Sequence, residues 1–146
     1  MSSVTKALGI IGEQTITLAF LKRGIPVSIP IGDNLPYDLV ADVCGRLVRV
    51  QVKSTERITE DGVMLFETNI TNPFKKIRRK YSKAEVDYFG LYCHENGFIG
   101  LVDIESCNLY ELKIRVESAK NKQSKKVRNM RDYEFDNVID NLLSAK

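Results

Sequence analysis

The spacing of apolar residues along the chain predicts a mixture of helices and strands. The apolar positions at helical spacing between residue 4 and about residue 23 are Val4, Ala7, Leu8, Ile11, Leu18 and Leu21. Ser2 or Ser3 is the expected cap of this helix and Gly24 the expected stop. Strands are predicted at residues 25–30, 38–43, 47–53, 63–69, 87–93, 98–103 and 109–116, with a hairpin turn at 94–97. A final helix over residues 132–143 places Phe135, Val138, Ile139 and Leu142 on one side. The pattern indicates a single α/β domain over residues 1–146.

One predicted strand carries an unusual pair of polar residues. In RLVRVQVKST, residues 46–55, three valines at positions 48, 50 and 52 alternate with polar positions. Side chains of a strand point alternately to opposite faces, so Gln51 and Lys53 share the face opposite the valines. The strand therefore presents an amide and an ammonium side by side.

The preceding strand brings a carboxylate to the same place. In DLVADVCGRLVRVQVK, a two-residue loop at Cys44 and Gly45 sets Val43 opposite Arg46 and Asp38 opposite Gln51. Directly opposed residues have Cβ atoms about 4.5 to 5.5 Å apart. A three-residue loop would shift this register by one residue and would need a bulge to restore it. The two-residue loop predicts a cluster of Asp38, Gln51 and Lys53 at the open end of the hairpin.

This cluster has the parts needed for phosphodiester hydrolysis. A carboxylate and an amide carbonyl are hard oxygen ligands that suit Mg²⁺. A neighbouring lysine can orient a water molecule and offset the negative charge of the transition state. A surface Asp/Lys pair with a polar neighbour would give the same pattern on any solvated sheet.

A second carboxylate lies on the predicted first helix. Glu13 is at helical spacing from apolar and small residues, namely Gly9, Ile10, Ile16 and Phe20. A buried carboxylate is costly unless it is paired or bound to a metal, so Glu13 is a candidate further ligand or part of a buried hydrogen-bond network. Gly9 and Gly12 each disfavour a helix by about 1 kcal/mol relative to alanine, which predicts a close backbone approach there.

Composition restricts the class of protein. The chain has 146 residues, of which 43% are apolar, and no run of about 18 continuous apolar residues or signal peptide is evident. Three cysteines without a CxxC pair argue against a disulfide framework or a structural zinc site, so an intracellular, reducing location is expected. A single histidine, His94, excludes an HNH or His-Cys box site.

Two basic runs point to a nucleic acid partner. The formal net charge is only +3, but cations are concentrated in two acid-free segments. The residues concerned are Lys75, Lys76, Arg78, Arg79 and Lys80 in the first run, and Lys120, Lys122, Lys125, Lys126, Arg128 and Arg131 in the second. Lys and Arg side chains gain affinity for a phosphate backbone by releasing condensed counterions. Double-stranded DNA is the predicted partner, although each run alone could be a solvated surface.

These elements together resemble a known superfamily. A helix with Glu13, PYD at 36–38 and QVK at 51–53 is similar to the PD-(D/E)XK nucleases. Over residues 6–104 the sequence looks most like the small branch of group I intron-encoded homing endonucleases, which resembles archaeal Holliday junction resolvases. The resemblance implies an αβββαβ core with a mixed central sheet flanked by helices. It also implies Mg²⁺-dependent DNA hydrolysis with Asp38, Gln51 and Lys53 as catalytic residues and Glu13 as an accessory acid.

The sequence departs from the superfamily pattern at two positions. Tyr37 separates Pro36 from Asp38, which leaves the strand entrance intact. Gln51 replaces the usual acid and removes one negative charge from the metal site, a variant that active members of the superfamily also show. Glu13, Asp38 and Gln51 are therefore the expected Mg²⁺ ligands.

The resulting prediction is a Mg²⁺-dependent, site-specific, intron-encoded homing endonuclease. Because one site cuts one strand and 146 residues offer little surface to read a long target, the protein is expected to form a homodimer or tetramer. The alternatives are a junction resolvase, a restriction-type nuclease of the same fold, or an inactive DNA-binding module.

Overall fold

A mixed five-stranded sheet forms the centre of the protein. The computed structural model describes residues 3–72, 77–107, 110–116 and 128–145. The helices are α1 (Ser3–Lys22) and α2 (Phe135–Ser144), and short 3-10 helices cover Ile104–Cys107 and Met130–Tyr133. The strands are β1 (Val27–Ser28), β2 (Leu39–Val43), β3 (Arg46–Thr55), β4 (Val63–Glu67), β5 (Asn69–Asn72), β6 (Ile77–Lys80), β7 (Tyr88–Cys93), β8 (Ile99–Asp103), β9 (Glu111–Arg115) and β10 (Arg128–Asn129). The central sheet has the order β1-β2-β3-β7-β8, which confirms the α/β class with a mixed sheet.

The central sheet combines two hairpins joined by a parallel pair. Strands β2 and β3 pair antiparallel, as do β7 and β8, whereas β3 and β7 run parallel. Two parallel neighbours require a long crossover, which is usually a helix. In the described residues of this crossover the chain instead forms β4, β5 and β6, so the helix that the αβββαβ pattern places there is replaced by strands.

Three layers enclose two apolar cores. Helices α1 and α2 pack on one face of the central sheet, where Phe20 and Phe135 meet edge to face with ring centroids 4.8 Å apart. On the other face lies a three-stranded sheet in the order β10-β9-β4. Both helices therefore lie on the same side of the sheet, because the second sheet occupies the opposite side.

Most strands and the last helix fall where the hydrophobic pattern predicts them. Helix α2 buries Phe135 and Ile139 and packs Val138 and Leu142 against the same core, as expected. Strands β5, β6 and β10 were not predicted from the sequence. The ribbon formed by β5 and β6 is a separate two-stranded sheet, and its polar sequence lacks the apolar alternation by which a core strand is recognised.

Two glycines set the position of α1 on the sheet. A Cβ atom at Gly12 would lie 3.3 Å from the Cβ atom of Ser54 in β3. A Cβ atom at Gly90 in β7 would lie 2.9 Å from Cγ2 of Ile16. The close approach predicted for Gly12 is therefore present, whereas nothing lies within 4 Å of the Cβ position of Gly9, and that part of the prediction is wrong.

The apolar face of α1 is not the one expected from the sequence. The buried positions are Gly12, Ile16 and Phe20. The exposed apolar side chains are Val4, Ile10, Ile11, Leu18 and Leu21. Because this helix is apolar on several sides, periodicity alone could not identify the face that packs on the sheet. By length and mean hydropathy (1.2) α1 also qualifies as a candidate membrane span, a test that core helices of soluble proteins pass too.

We expect Gly90→Ala to destabilise the protein by about 1 to 3 kcal/mol, because the new methyl group overlaps Ile16 and displaces α1. Gly9→Ala is the matched control in an open helical position, and it should stabilise the protein by about 1 kcal/mol. Urea unfolding of both variants measures the difference. An equal change in the free energy of unfolding for the two variants would contradict the proposed close packing of α1 on the sheet.

Candidate active site

The hairpin of β2 and β3 has the predicted two-residue turn. Cys44 and Gly45 have φ values of 56° and 88°, the left-handed conformation that a tight hairpin turn requires. The side chain of Asp42 accepts a hydrogen bond of 2.7 Å from the Gly45 N–H. The register pairs Val43 with Arg46 and Leu39 with Val50, which confirms the predicted alignment of the two strands.

Asp38 directly precedes β2 and binds the backbone of β3. Its N–H donates to the carbonyl of Val50 at 2.9 Å, and its Oδ2 accepts from the N–H of Val52 at 2.8 Å. The carboxylate is therefore fixed at the backbone between Gln51 and Lys53. This agrees with the predicted position of Asp38 at the open end of the hairpin.

Helix α1 brings Glu13 to the same carboxylate. Gly12 lies against Ser54 at the end of β3, so the next residue of the helix reaches the edge where Asp38 lies. The charge of Asp38 and hydrogen bonding with its carboxyl group both raise the pKa of Glu13, so the two acids lie close together. Two acids that are 25 positions apart in the sequence thus meet at one point of the fold.

Burial raises the pKa of both acids. For Glu13, burial has the largest effect on the pKa, and the charge of Asp38 and the shared hydrogen bond raise it further. For Asp38, burial also raises the pKa, while the hydrogen bond from Val52, the charge of Lys53 and the bond to Glu13 oppose this increase. Each carboxylate is therefore more costly to ionise than in water, and a cation placed between them would lower that cost.

Lys53 lies beside this pair on the predicted face of β3. Burial lowers the pKa of its ammonium group, and the negative charges of Asp38 and Glu67 oppose that shift. Gln51 is also partly buried and lies one pleat further along the same face, in register with Phe89 of β7. The structure thus brings Glu13, Asp38 and Lys53 together, with Gln51 adjacent.

The donor set at this point fits a hard divalent cation. Two carboxylates and one amide oxygen are the ligand types that Mg²⁺ prefers, with water molecules completing its coordination. Among the residues that the structure describes, no group of three His, Cys, Asp or Glu side chains is arranged to hold a metal ion.

Two residues near the lysine were not identified from the sequence. The ring centroid of Tyr81 lies 4.9 Å from Nζ of Lys53, and burial with the charge of Asp38 raises the Tyr81 pKa to about 12. Glu67 at the end of β4 contributes a negative charge near the same ammonium group. Neither residue stands at a motif spacing, so only the tertiary structure reveals them.

The described part of the first basic run forms one strand of the ribbon. Arg78 and Lys80 lie over the ring of Tyr110, at 5.1 and 5.0 Å from its centroid. Arg79 points to the other side, where its guanidinium group forms two hydrogen bonds of 2.9 and 2.8 Å with the carboxylate of Glu85. Arg78 and Lys80 thus lie over one aromatic ring, whereas Arg79 is occupied by an internal ion pair. Their contacts with DNA phosphates stay a prediction.

The second basic run is described only at its end. Arg128 is half-buried, donates to the carbonyl of Ser106 and stacks at 5.5 Å over the ring of Tyr133, so its side chain serves the fold. Arg131 is exposed. The predicted DNA-binding residues that lie outside the described residues are Lys75, Lys76, Lys120, Lys122, Lys125 and Lys126.

Comparison with known proteins relates this chain to a family and to a solved structure. A model of the PD-(D/E)XK endonuclease family matches residues 3–136, a span that includes all four candidate active-site residues. Among solved structures, the fold is similar to that of a bacterial homing endonuclease, I-Ssp6803I. That match has a TM-score of 0.77 and 27% sequence identity, and it covers 99% of this chain and 95% of the other. The sequence has no match among curated proteins.

In the absence of divalent cations, we expect the raised pKa values of Glu13 and Asp38 to make the free energy of unfolding fall as the pH rises. Their contribution is complete below the unfolded pKa values, 4.5 for Glu13 and 3.8 for Asp38, and is lost above the raised folded values. The reason is that the folded state binds more protons than the unfolded state in this interval.

Glu13→Gln removes one titrating group and its repulsion of Asp38, so this variant should lose less stability with rising pH. Urea unfolding of both proteins between about pH 4 and pH 8 provides the measurement. Parallel pH dependences would contradict the coupling of the two acids.

Proposed function

The chain belongs to the PD-(D/E)XK endonuclease family, and from this premise we propose that it is a Mg²⁺-dependent, site-specific DNA endonuclease with a role in intron homing. The observation that carries the proposal is the meeting of Glu13, Asp38 and Lys53, which come from three separate elements of the fold. The homing role is supported by similarity to one bacterial homing endonuclease.

Glu13, Asp38 and Gln51 would hold the Mg²⁺ ion in this proposal. When bound, the ion would supply Lewis-acid activation of the scissile phosphate and of the attacking water. Asp38 is held in place for this role by the Val52 N–H, and Glu13 is held by the seat of α1 at Gly12. The backbone of β3 thus fixes Asp38, and the packing of α1 brings Glu13 beside it.

Lys53 acts directly on the substrate in the same proposal. Its ammonium group would stabilise the negative charge that develops on the phosphate during hydrolysis. Because Lys53 is partly buried beside Asp38, this charge acts in surroundings where electrostatic interactions are stronger than in water. The residue is therefore the strongest single candidate for transition-state stabilisation.

The ribbon supplies a surface for the DNA backbone. A two-stranded ribbon can enter a groove of duplex DNA, and here it carries Arg78 and Lys80 on one side. The chain leads from this strand directly to Tyr81 beside Lys53, so the cationic surface and the catalytic lysine are neighbours. We infer that duplex DNA bound to the ribbon passes close to the active site.

Assembly into a homodimer or tetramer is part of the proposal. Helix α1 exposes Val4, Ile11, Leu18 and Leu21, which follow one another at spacings of seven, seven and three residues. Such spacing places them along one side of the helix, as in helices that pair through an apolar seam. A second copy of the chain would bury this seam and would supply the active site for the second DNA strand.

Cleavage assays distinguish the homing role from its alternatives. DNA from the genomic neighbourhood of the gene, including an intron-less allele, should be cut at a defined site in the presence of Mg²⁺. Preferential cutting of four-way junctions over linear duplex would identify a resolvase instead. Binding of DNA without any nicking over a range of Mg²⁺ concentrations would identify an inactive binding module.

We expect Lys53→Ala or Asp38→Asn to lower the cleavage rate by roughly a thousandfold or more, because each removes a charged contact to the transition state or its metal. Folding and DNA binding should change little.

Gln51→Glu, which keeps the shape of the side chain and an oxygen ligand, should retain cleavage, whereas Gln51→Leu should lose it. Substantial cleavage by purified Lys53→Ala, or by Gln51→Leu across a Mg²⁺ titration, would remove that residue from the mechanism.

We expect Arg78→Ala and Lys80→Ala to weaken DNA binding and to reduce the slope of log affinity against log salt by about one unit per lost phosphate contact. Arg79→Ala is the matched control on the same strand, because its guanidinium group already pairs with Glu85. Binding titrations at several salt concentrations provide the slopes. A slope that changes as much for Arg79 as for Arg78 would show that the internal ion pair opens on DNA.

We expect Leu18→Glu to shift the protein to a smaller assembly in sedimentation experiments, because a charge within the seam opposes burial of α1 against a second copy. Ile31→Glu is the control, since Ile31 is fully exposed outside α1. A parent protein that sediments as a monomer and still cuts both strands together would contradict the proposed assembly.

A further inference from the structure

Tyr81 occupies an unusual position between the ribbon and the catalytic lysine. It follows β6 directly, yet its side chain is buried, with only 9% of the residue exposed. The face of its ring is turned to Lys53, whose Nζ lies 4.9 Å from the ring centroid. A cation over an aromatic face is attracted by the ring quadrupole, and the attraction is stronger when water is excluded.

The ring of Tyr81 is itself held from another direction. It meets Phe89 edge to face, with ring centroids 5.3 Å apart and an angle of 84° between the planes. Phe89 is buried in the centre of β7 and is the strand neighbour of Gln51. The aromatic surface offered to Lys53 is therefore anchored in the central sheet.

Lysine needs such an anchor more than the two acids do. Its ammonium group ends a flexible four-carbon chain, whereas Asp38 is tied to the backbone of β3 by a short hydrogen bond. Two negative charges, those of Asp38 and Glu67, also attract the lysine from different elements of the fold. Without a third contact, the ammonium group of Lys53 could move between a position near Asp38 and a position near Glu67.

We propose that Tyr81 is a positioning residue for DNA cleavage: the face of its ring holds the ammonium group of Lys53 beside the carboxylate of Asp38. The inference rests on the proposed function, in which Lys53 stabilises the transition state. It requires the aromatic ring of Tyr81 and does not require the hydroxyl group.

The test compares Tyr81→Phe, which keeps the ring, with Tyr81→Leu, which removes it. We expect Tyr81→Phe to cleave at the parental kcat and Tyr81→Leu to lose about tenfold to a hundredfold in kcat with an unchanged KM, because a misplaced catalytic group affects the chemical step. Phe98→Leu is the matched control, since Phe98 belongs to the same apolar core and should leave kcat unchanged. Urea unfolding of each variant separates a loss of kcat from a loss of folded protein.

A second measurement reports the contact without cleavage. In the protein without metal or DNA, the ring current of Tyr81 should shift the ε-methylene proton resonances of Lys53 upfield. Tyr81→Phe should preserve this shift and Tyr81→Leu should abolish it. A shift that is absent in the parent protein would overturn the proposed contact directly.

The outcomes separate this inference from the proposed function. A parent protein that cleaves DNA while Tyr81→Leu cleaves equally fast would overturn the role of Tyr81 alone. Equal losses of kcat in Tyr81→Phe and Tyr81→Leu would assign the effect to the hydroxyl group and would also overturn it. A parent protein that cleaves no DNA under any condition would overturn both proposals.

Discussion

The close packing of α1 on β3 and β7 is the contact on which the candidate active site depends. Gly12 and Gly90 remove the side chains that would otherwise hold the helix away from the sheet. With the helix packed this closely, Glu13 lies near the carboxylate of Asp38, which is itself held by the backbone of β3. The meeting of the two acids is thus a consequence of how the helix and the sheet pack.

Burial disfavours the charged forms of Glu13, Asp38 and Lys53. It raises the pKa values of Glu13 and Asp38 and lowers that of Lys53, so each group is pushed towards its neutral form. Mutual attraction between Asp38 and Lys53 opposes this effect, but the two acids repel each other when both are ionised. The protein carries an electrostatic cost in its unliganded state, and a bound cation at the acids would relieve part of it.

The sequence contained enough information to predict the hairpin but not its surroundings. The alternation of valines, the Cys44-Gly45 turn and the register all follow from local rules. These rules place Gln51 and Lys53 correctly on β3 and Asp38 correctly at the open end of the hairpin. The packing face of α1 could not be predicted, because Val4, Ile11 and Leu18 are as apolar as the residues that are buried. Hydrophobic periodicity does not distinguish the apolar faces of α1, and only contacts with residues distant in the sequence determine which face is buried.

The first basic run, too, has side-chain contacts that could not be predicted from the sequence. Charge alone made Arg78, Arg79 and Lys80 equivalent, whereas the alternation of a strand assigns Arg79 to Glu85 and the other two to Tyr110. This segment was not recognised as a strand because its sequence lacks the apolar alternation that marks a core strand. Tyr81 was missed for a related reason, since its partner Lys53 is 28 positions earlier in the sequence.

The separation of the ribbon from both larger sheets has a consequence for the history of such a protein. Its two strands pair with each other, so substitutions at positions 78 and 80 leave the ladders of the central sheet intact. Side chains at these two positions can therefore change without disturbing the strand pairing that holds the hairpin of β2 and β3. Position 81 has no such freedom if its ring steadies the lysine. Tolerance of substitution and constraint would then meet at Lys80 and Tyr81, two residues joined by one peptide bond.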